Sequence, residues 1–245
     1  SGARFFIMLC DARSGELRAL MQADRLGQIR TGAASGLATK LMARPDSSVL
    51  GLIGSGWQAR SQLLAVCAVR SIRTVRLFSR DARHREGFRA AMQDSVDAEI
   101  VPVLSAQEAV EGADIVVTIT SSTEPVLDGR WLSPGTHVNA AGSNQAGKRE
   151  LDETAVLRAS RVVVDLREQA TTECGDLIPV VNSGRLRWDD IAELADVVGG
   201  SVSARFGPVD VTLFESQGIA LEDMAVASLA YERAMARGVG TTLEL

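Results

Sequence analysis

Gly54, Gly56 and Ala59 stand in the spacing G-x-G-x-x-A directly after the apolar run Val49 to Ile53. That spacing suits the binding of a pyrophosphate. The first glycine permits a tight turn, and the second lets a phosphate approach backbone N–H groups where the helix dipole favours an anion. Ala59 keeps helix and strand close. A second candidate lies at Phe78-Ser79-Arg80-Asp81-Ala82-Arg83. About 20 residues after the fingerprint, NAD enzymes place Asp or Glu to bind the ribose hydroxyls. Here Ser79 takes that position and Arg80 and Arg83 follow, a layout suited to a 2′-phosphate because arginine's planar fork matches phosphate geometry. NADP(H) is therefore favoured over NAD(H). The other reading makes both arginines solvated residues at a helix start, with Asp81 as its N-cap. A third candidate, Arg30, precedes the small residues Gly32, Ala33, Ala34, Ser35 and Gly36. Such a run is unfavourable for a helix on propensity and calls for close backbone approach. Either another helix packs there, or a ligand lies against it with Arg30 as its anion clamp.

The elements that must position these residues follow from periodicity. Phe5 to Cys10 and Glu16 to Met21 flank a polar loop ending in Gly15 and read as a β-hairpin. Asp24 is placed to cap a helix over 25–43, which Arg44-Pro45 stops. Strands are then expected at 50–53, 75–78, 99–103, 114–120, 137–140 and 161–165, with helices at 57–70, 81–93, 105–111 and 151–159. This alternation predicts a doubly wound parallel sheet. Ligands in such sheets bind beyond the carboxyl ends of the strands, so Thr120-Ser121-Ser122 and Asn139-Ala140-Ala141-Gly142 are expected to border the cofactor. Past Asp165 the pattern loosens into a short helix at 189–197, a strand at 211–215 and a long amphipathic helix at 219–236. A last strand at 241–245 is expected to pair with the N-terminal hairpin. The chain thus divides into a partial substrate and dimerisation domain (1–43 and 216–245) and an inserted Rossmann domain (44–215).

The 245 residues are 46% hydrophobic and 23% charged, the composition of a globular protein. A net charge of -5 and 4% aromatics argue against nucleic acid as a partner. No apolar run reaches the ~20 residues of a membrane span. Cys10, Cys67 and Cys174 are far apart and form no C-x-x-C, which argues against disulfides and a zinc knuckle and suits a reducing cytoplasm. His84 reads as solvated and His137 as structural, so no metal site is expected.

Four stretches occur in this order: R-T-G-A-A-S-G-L-A-T, I-G-S-G-W-Q-A, P-G-T-H-V-N-A-A-G-S-N-Q-A-G-K-R-E-L-D and T-L-F-E-S-Q-G-I-A-L-E-D-M-A. Together they make the chain resemble the ornithine cyclodeaminase/mu-crystallin family over nearly its whole length. The resemblance implies a dimeric NAD(P)-dependent protein exchanging hydride at the α-carbon of a small amino or cyclic imino acid. It implies that Arg30 holds the substrate carboxylate and that Gly54, Ser55, Gly56, Trp57 and Gln58 cradle the pyrophosphate. It sets Ser79, Arg80 and Arg83 around the adenosine ribose, Thr120 and Ser121 along the nucleotide, and Asn139, Ala140 and Ala141 near the nicotinamide. Ser216 and Gly218 correspond to the segment closing over the carboxamide end.

The chain departs from the family pattern in two ways. Asn144 stands in the substrate pocket where the cyclodeaminases have an aspartate, and an amide neither accepts a proton nor carries charge. No counterpart of the family's N-terminal segment with its pocket lysine is found, which leaves the outer domain short at its N-terminus and the general acid unassigned. The expected function is that of a ketimine or pyrroline-2-carboxylate reductase, or an alanine dehydrogenase. The alternatives are ornithine cyclodeaminase, which Asn144 disfavours, and a non-catalytic NADPH-binding protein of the mu-crystallin kind or a shortened remnant.

Overall fold

A computed structural model describes residues 4–242. The chain opens with strands β1 (Phe6–Cys10) and β2 (Leu17–Gln22) and helix α1 (Asp24–Met42). It continues as β3 (Val49–Ile53), α2 (Trp57–Val69), β4 (Thr74–Phe78), α3 (Ala82–Met92), β5 (Glu99–Pro102), α4 (Ala106–Val110), β6 (Ile115–Thr118) and β7 (His137–Ala140). There follow α5 (Glu153–Arg158), β8 (Ala159–Val164), α6 (Arg167–Glu173), α7 (Leu177–Asn182), β9 (Ala192–Glu193), α8 (Leu194–Val198), β10 (Val211–Glu215) and α9 (Ala220–Arg237).

Contacts divide the chain into two units, one of residues through Arg30 with those from Ile219 on, the other Thr31–Gly218. The larger unit holds a parallel sheet in the order β5-β4-β3-β6-β7-β10-β8-β9. The order reverses between β3 and β6, the switch point at which doubly wound sheets bind ligands. Apolar side chains leave both faces of the sheet. Val116, Val138, Val162 and Leu213 contribute to one core; Leu50, Leu52, Val75, Leu77 and Leu63 of α2 contribute to another. This two-sided burial explains why the strands read as continuous apolar runs rather than alternating ones. Helix starts follow their caps: the side chains of Asp81, Ser105 and Asp152 accept from Arg83 N, Glu108 N and Ala155 N.

In the smaller unit β1 and β2 pair antiparallel, Met8 opposite Leu20. A small core of Ala23, Leu26 and Ala227 gathers Ile7, Met21 and Val226 around it. The outer side of the hairpin is left apolar and open, with Phe6 60%, Met8 68% and Leu20 64% exposed.

Several expectations are corrected. The first boundary between units falls inside α1, at Arg30/Thr31 rather than after residue 43, because Ala34, Ala38 and Met42 share a core with Val163 and Phe214 of the parallel sheet. Asp24 lies in the first helical turn, and its carboxylate accepts from Phe5 N and Gln22 Nε2. The single helix expected at 189–197 is a 3-10 turn (Trp188–Asp190), the edge strand β9 and the short α8. Helices α6 and α7 were not foreseen, nor was the insertion of β10 between β7 and β8. Of the last strand, Thr241 and Thr242 carry no strand and 243–245 lie outside the described residues.

The run of small residues in α1 is explained by packing on α2. A Cβ on Gly32 would sit 2.6 Å from Ser61 O, and one on Gly36 would sit 3.0 Å from the Ala65 Cβ. These two glycines therefore face a helix, not a ligand. Replacing Gly32 by valine is expected to cost about 1–3 kcal/mol through overpacking. In the same helix nothing lies within 4 Å of a Cβ on Gly27, and Gly27→Ala is expected to gain about 0.5–1 kcal/mol from propensity. Urea unfolding of the two variants checks both signs.

Candidate functional site

The loops after β3, β4, β6, β7 and β10 all leave the carboxyl end of the sheet, and each is tied to its neighbour. Gly54 N donates to Phe78 O at 2.8 Å, Ile119 N to Ile53 O at 2.9 Å, Ala141 N to Thr118 O at 2.9 Å, and Ser216 N to Ala140 O at 2.9 Å. The sequence-predicted residues Gly54, Ser55, Gly56, Trp57, Gln58, Ser79, Thr120, Ala140, Ala141, Ser216 and Gly218 thus come from one end of one sheet.

The turn after β3 is shaped by its glycines. Gly54 has φ +120°, and a Cβ there would meet Ile119 O at 2.4 Å, so only glycine closes the turn against the β6 loop. Gly56 differs: its φ of -77° suits any residue, and nothing lies within 4 Å of its would-be Cβ. It is the N-cap of α2, contributes no side-chain acceptor, and is followed by a first turn without acidic residues. The buried Gln58 Oε1 has no partner. Trp57 is half exposed, with the Arg60 guanidinium 5.9 Å from its ring centre. An open, uncapped helix start at the switch point fits a pyrophosphate.

Beside it, Ser55 Oγ donates to Ser79 Oγ at 2.9 Å, which joins the fingerprint loop to the end of β4. Arg85 Nη1 donates to Ser79 O. Arg80 is exposed, and Arg83 is exposed and paired with Asp81 at 3.3 Å. Asp81 is the N-cap expected of it, and the adjacent Arg83 partner holds its carboxyl below the usual range.

Asn139 is placed differently from its neighbours. It is fully buried; its Nδ2 donates to Thr39 Oγ1 at 2.9 Å, and its Oδ1 lies 3.2 Å from His137 Nε2. His137 Nδ1 in turn lies 2.9 Å from Thr212 Oγ1, and burial pushes the imidazole down to about 3, so it is neutral. This chain of polar groups fastens β7 to α1 and β10, and only the backbone of 139 is available to a ligand. Asn144 is exposed on the loop after β7 and its Oδ1 accepts from Lys148 Nζ at 2.9 Å.

In the smaller unit Arg30 is held by two carboxylates, Nε to Asp223 Oδ1 at 3.0 Å and Nη1 to Glu222 Oε2 at 3.3 Å.

Sequence reasoning missed the buried carboxylates beneath the loops. Asp165 Oδ2 accepts from Gln217 N at 2.8 Å and Gly218 N at 2.5 Å, which fixes the turn after β10. Glu150 accepts from Thr120 N and Gly142 N. Asp176 makes no cap bond; its Oδ1 accepts from Glu150 N and Leu151 N. Glu215, at the end of β10, is also fully buried. The sequence signal for Asp165 and Glu215 was an acidic residue directly beside an apolar strand run, as in V-V-V-D and L-F-E; Glu150 and Asp176, in K-R-E-L-D and E-C-G-D-L, carry no such signal.

Fold and loop geometry together define a Rossmann-type α/β protein with an open, uncapped glycine turn at its switch point. Residues 3–238 match the Ornithine cyclodeaminase/mu-crystallin family, and the chain belongs to that family. It is 40% identical over 239 residues, 97% of this chain and 73% of the relative, to a Delta(1)-pyrroline-2-carboxylate reductase of Bacillus cereus. It is 38% identical over 226 residues, 92% of this chain and 68% of the relative, to the mouse ketimine reductase mu-crystallin. Among solved structures it superposes with TM-score 0.93 and 41% identity on the Thermococcus litoralis Delta(1)-pyrroline-2-carboxylate reductase in complex with NADH and L-proline, covering 96% of this chain and 73% of that one.

Among the described residues no helix is long and apolar enough to cross a membrane, and no group of three His, Cys, Asp or Glu is placed to hold a metal ion.

Proposed function

We infer that the chain is an NAD(P)H-dependent oxidoreductase that reduces the C=N bond of a small cyclic imino acid such as pyrroline-2-carboxylate, or runs the reverse oxidation at an amino acid α-carbon. The observation that carries this reading is the open Gly56 turn at the sheet's switch point. The reductase names and the NADH and proline ligands of the relatives support it. Gly54 to Gln58 would hold the pyrophosphate on backbone N–H groups, Thr120, Ser121, Ala140 and Ala141 would line the nucleotide, and Ser216 and Gly218 would meet the carboxamide end. When bound, the nicotinamide supplies the hydride. Arg30 orients the substrate by its carboxylate. Asn144 is neutral and already accepts from Lys148, which speaks against cyclisation of ornithine with loss of ammonia.

NADPH is the preferred nucleotide in this reading, with Arg80 and Arg83 facing the 2′-phosphate. Ser79→Asp is expected to weaken NADPH at least about tenfold by like-charge repulsion while tightening NADH through the ribose hydroxyls. A reversed ratio of the two dissociation constants checks it. The exposed Phe6, Met8 and Leu20 support a homodimer, to be tested by light scattering. The three free cysteines support a cytoplasmic setting.

The test of the whole reading is a fluorescence titration with NADPH and NADH, followed by a panel of imino acids that includes pyrroline-2-carboxylate. Binding with oxidation on one substrate supports the reductase. Tight binding with no oxidation on any of them turns the reading to a binding protein, and no binding of either nucleotide removes it.

A further inference from the structure

One carboxylate ties together two strand-end loops. Glu150 is fully buried, and its two oxygens are shared between two backbone donors: Oε1 accepts from Thr120 N at 2.5 Å and Oε2 from Gly142 N at 2.8 Å. Thr120 follows β6 and Gly142 follows β7, its neighbour in the sheet. The fit is tight. A Cβ on Gly142 would lie 2.4 Å from Thr120 O and 2.6 Å from the Glu150 carboxylate, so the peptide at 142 is pressed between the other two residues. Glu150 is itself fixed, since its own N–H and that of Leu151 donate to Asp176 Oδ1 at 2.8 and 2.9 Å.

We propose that Glu150 is a positioning residue for the dinucleotide, bracing the N–H groups of Thr120 and Gly142 so that the β6 and β7 loops are preformed for the nicotinamide half of the cofactor. This rests on the reading that those loops border the nucleotide.

The brace has two states. An ionised carboxylate accepts at both oxygens, whereas a protonated one turns one oxygen into a donor facing an N–H. Burial pushes Glu150 up to about 7, with hydrogen bonding from Thr120 and Thr118 pulling the other way. The ionisable groups around it are Asp176, whose charge raises it, and Glu215, which it raises in turn; Cys174 lies against Glu215, and Lys148 and Arg149 precede it in the chain. Burial likewise moves Asp176 up to about 6 and holds Glu215 well above the carboxylate range. The brace is therefore complete on the alkaline side of about pH 7 and loosens as pH falls through it.

The experiment compares wild type with Glu150→Gln in NADPH titrations from pH 6 to pH 8.5, taking the ratio of dissociation constants so that titration of the nucleotide's own phosphate cancels. An amide satisfies one N–H and opposes the other, so the variant is expected to bind about tenfold more weakly at pH 8.5, with the ratio closing toward one at pH 6. A ratio that stays flat with pH overturns the proposal and leaves Glu150 a structural residue. Absence of NADPH and NADH binding by the wild type overturns the cofactor reading itself, and this inference with it. If the variant does not fold, hydrogen exchange in the wild type decides. Corrected for intrinsic rates, the Thr120 and Gly142 amides are expected to open more readily at pH 6 than at pH 8.5; equal protection overturns the brace.

Discussion

Gly56→Val is expected to abolish dinucleotide binding in a protein that still folds. The position tolerates the side chain before any ligand arrives, because its backbone is in the extended region and nothing lies within 4 Å of the new Cβ. Valine is a poorer N-cap than glycine, which costs up to about 1 kcal/mol. The same Cβ stands where a pyrophosphate must come to reach the first N–H groups of α2. Losing two charge-assisted hydrogen bonds at about 1.5–3 kcal/mol each weakens binding by about 100-fold or more. Fluorescence titration with NADPH, beside urea unfolding of the same sample, separates the two effects. Wild-type affinity in the variant would show that the nucleotide does not use this turn. Gly54→Ala is a poorer probe, since φ +120° and the 2.4 Å approach to Ile119 O make it a folding mutation first.

What made Gly54 and Gly56 legible in the sequence is that both requirements are local. A tight turn and an uncapped helix start are written within six residues, and the apolar run before them marks a strand buried on both faces. The same holds for the cap Asp81 and for His137 as a structural residue. The topology beyond β7 was not legible. Strand β10 joins the sheet between β7 and β8, with Thr212 beside both His137 and Arg161 and distant from each in the chain, and its pairing is set by tertiary packing rather than by local propensity. The carboxylates went unread for a related reason. Acidic residues at the end of an apolar run, as Asp165, or within a polar loop, as Glu150 and Asp176, look solvent-facing, yet all three are buried and serve as acceptors for loop N–H groups that sheet hydrogen bonds do not reach. Asn139 is the converse. It was grouped with its neighbours by position in the motif, but a strand alternates its side chains, and this one points into a polar chain with His137 and Thr39.

Arg30→Lys is the second large effect expected, a fall in kcat/KM of about 1,000-fold with nucleotide affinity unchanged. Arginine carries five N–H donors on a rigid fork. Here Nε is committed to Asp223 at 3.0 Å and one donor of Nη1 to Glu222 at 3.3 Å. In the proposed function this anchoring is useful, because two carboxylates hold the guanidinium in one rotamer while its remaining donors stay available to a substrate carboxylate. A lysine keeps the charge but offers one compact ammonium, which cannot hold both acids and a bidentate carboxylate together. Losing the fork on the substrate costs about 4 kcal/mol in transition-state binding when the partner charge is desolvated, which is the source of the 1,000-fold figure. The competing role is purely structural, an ion pair that fixes the start of α9. All three side chains are at least partly shielded, with exposures of 19% for Arg30, 17% for Glu222 and 34% for Asp223, so the substitution is expected to lower stability by about 1 kcal/mol in either role. The two roles part in the comparison of readouts. A structural pair predicts that activity falls only as far as the folded fraction does, whereas a carboxylate clamp predicts loss of turnover in a protein that is still folded and still saturated with NADPH. Steady-state kinetics on the imino acid that wild type reduces, with unfolding curves on the same preparations, decides between them.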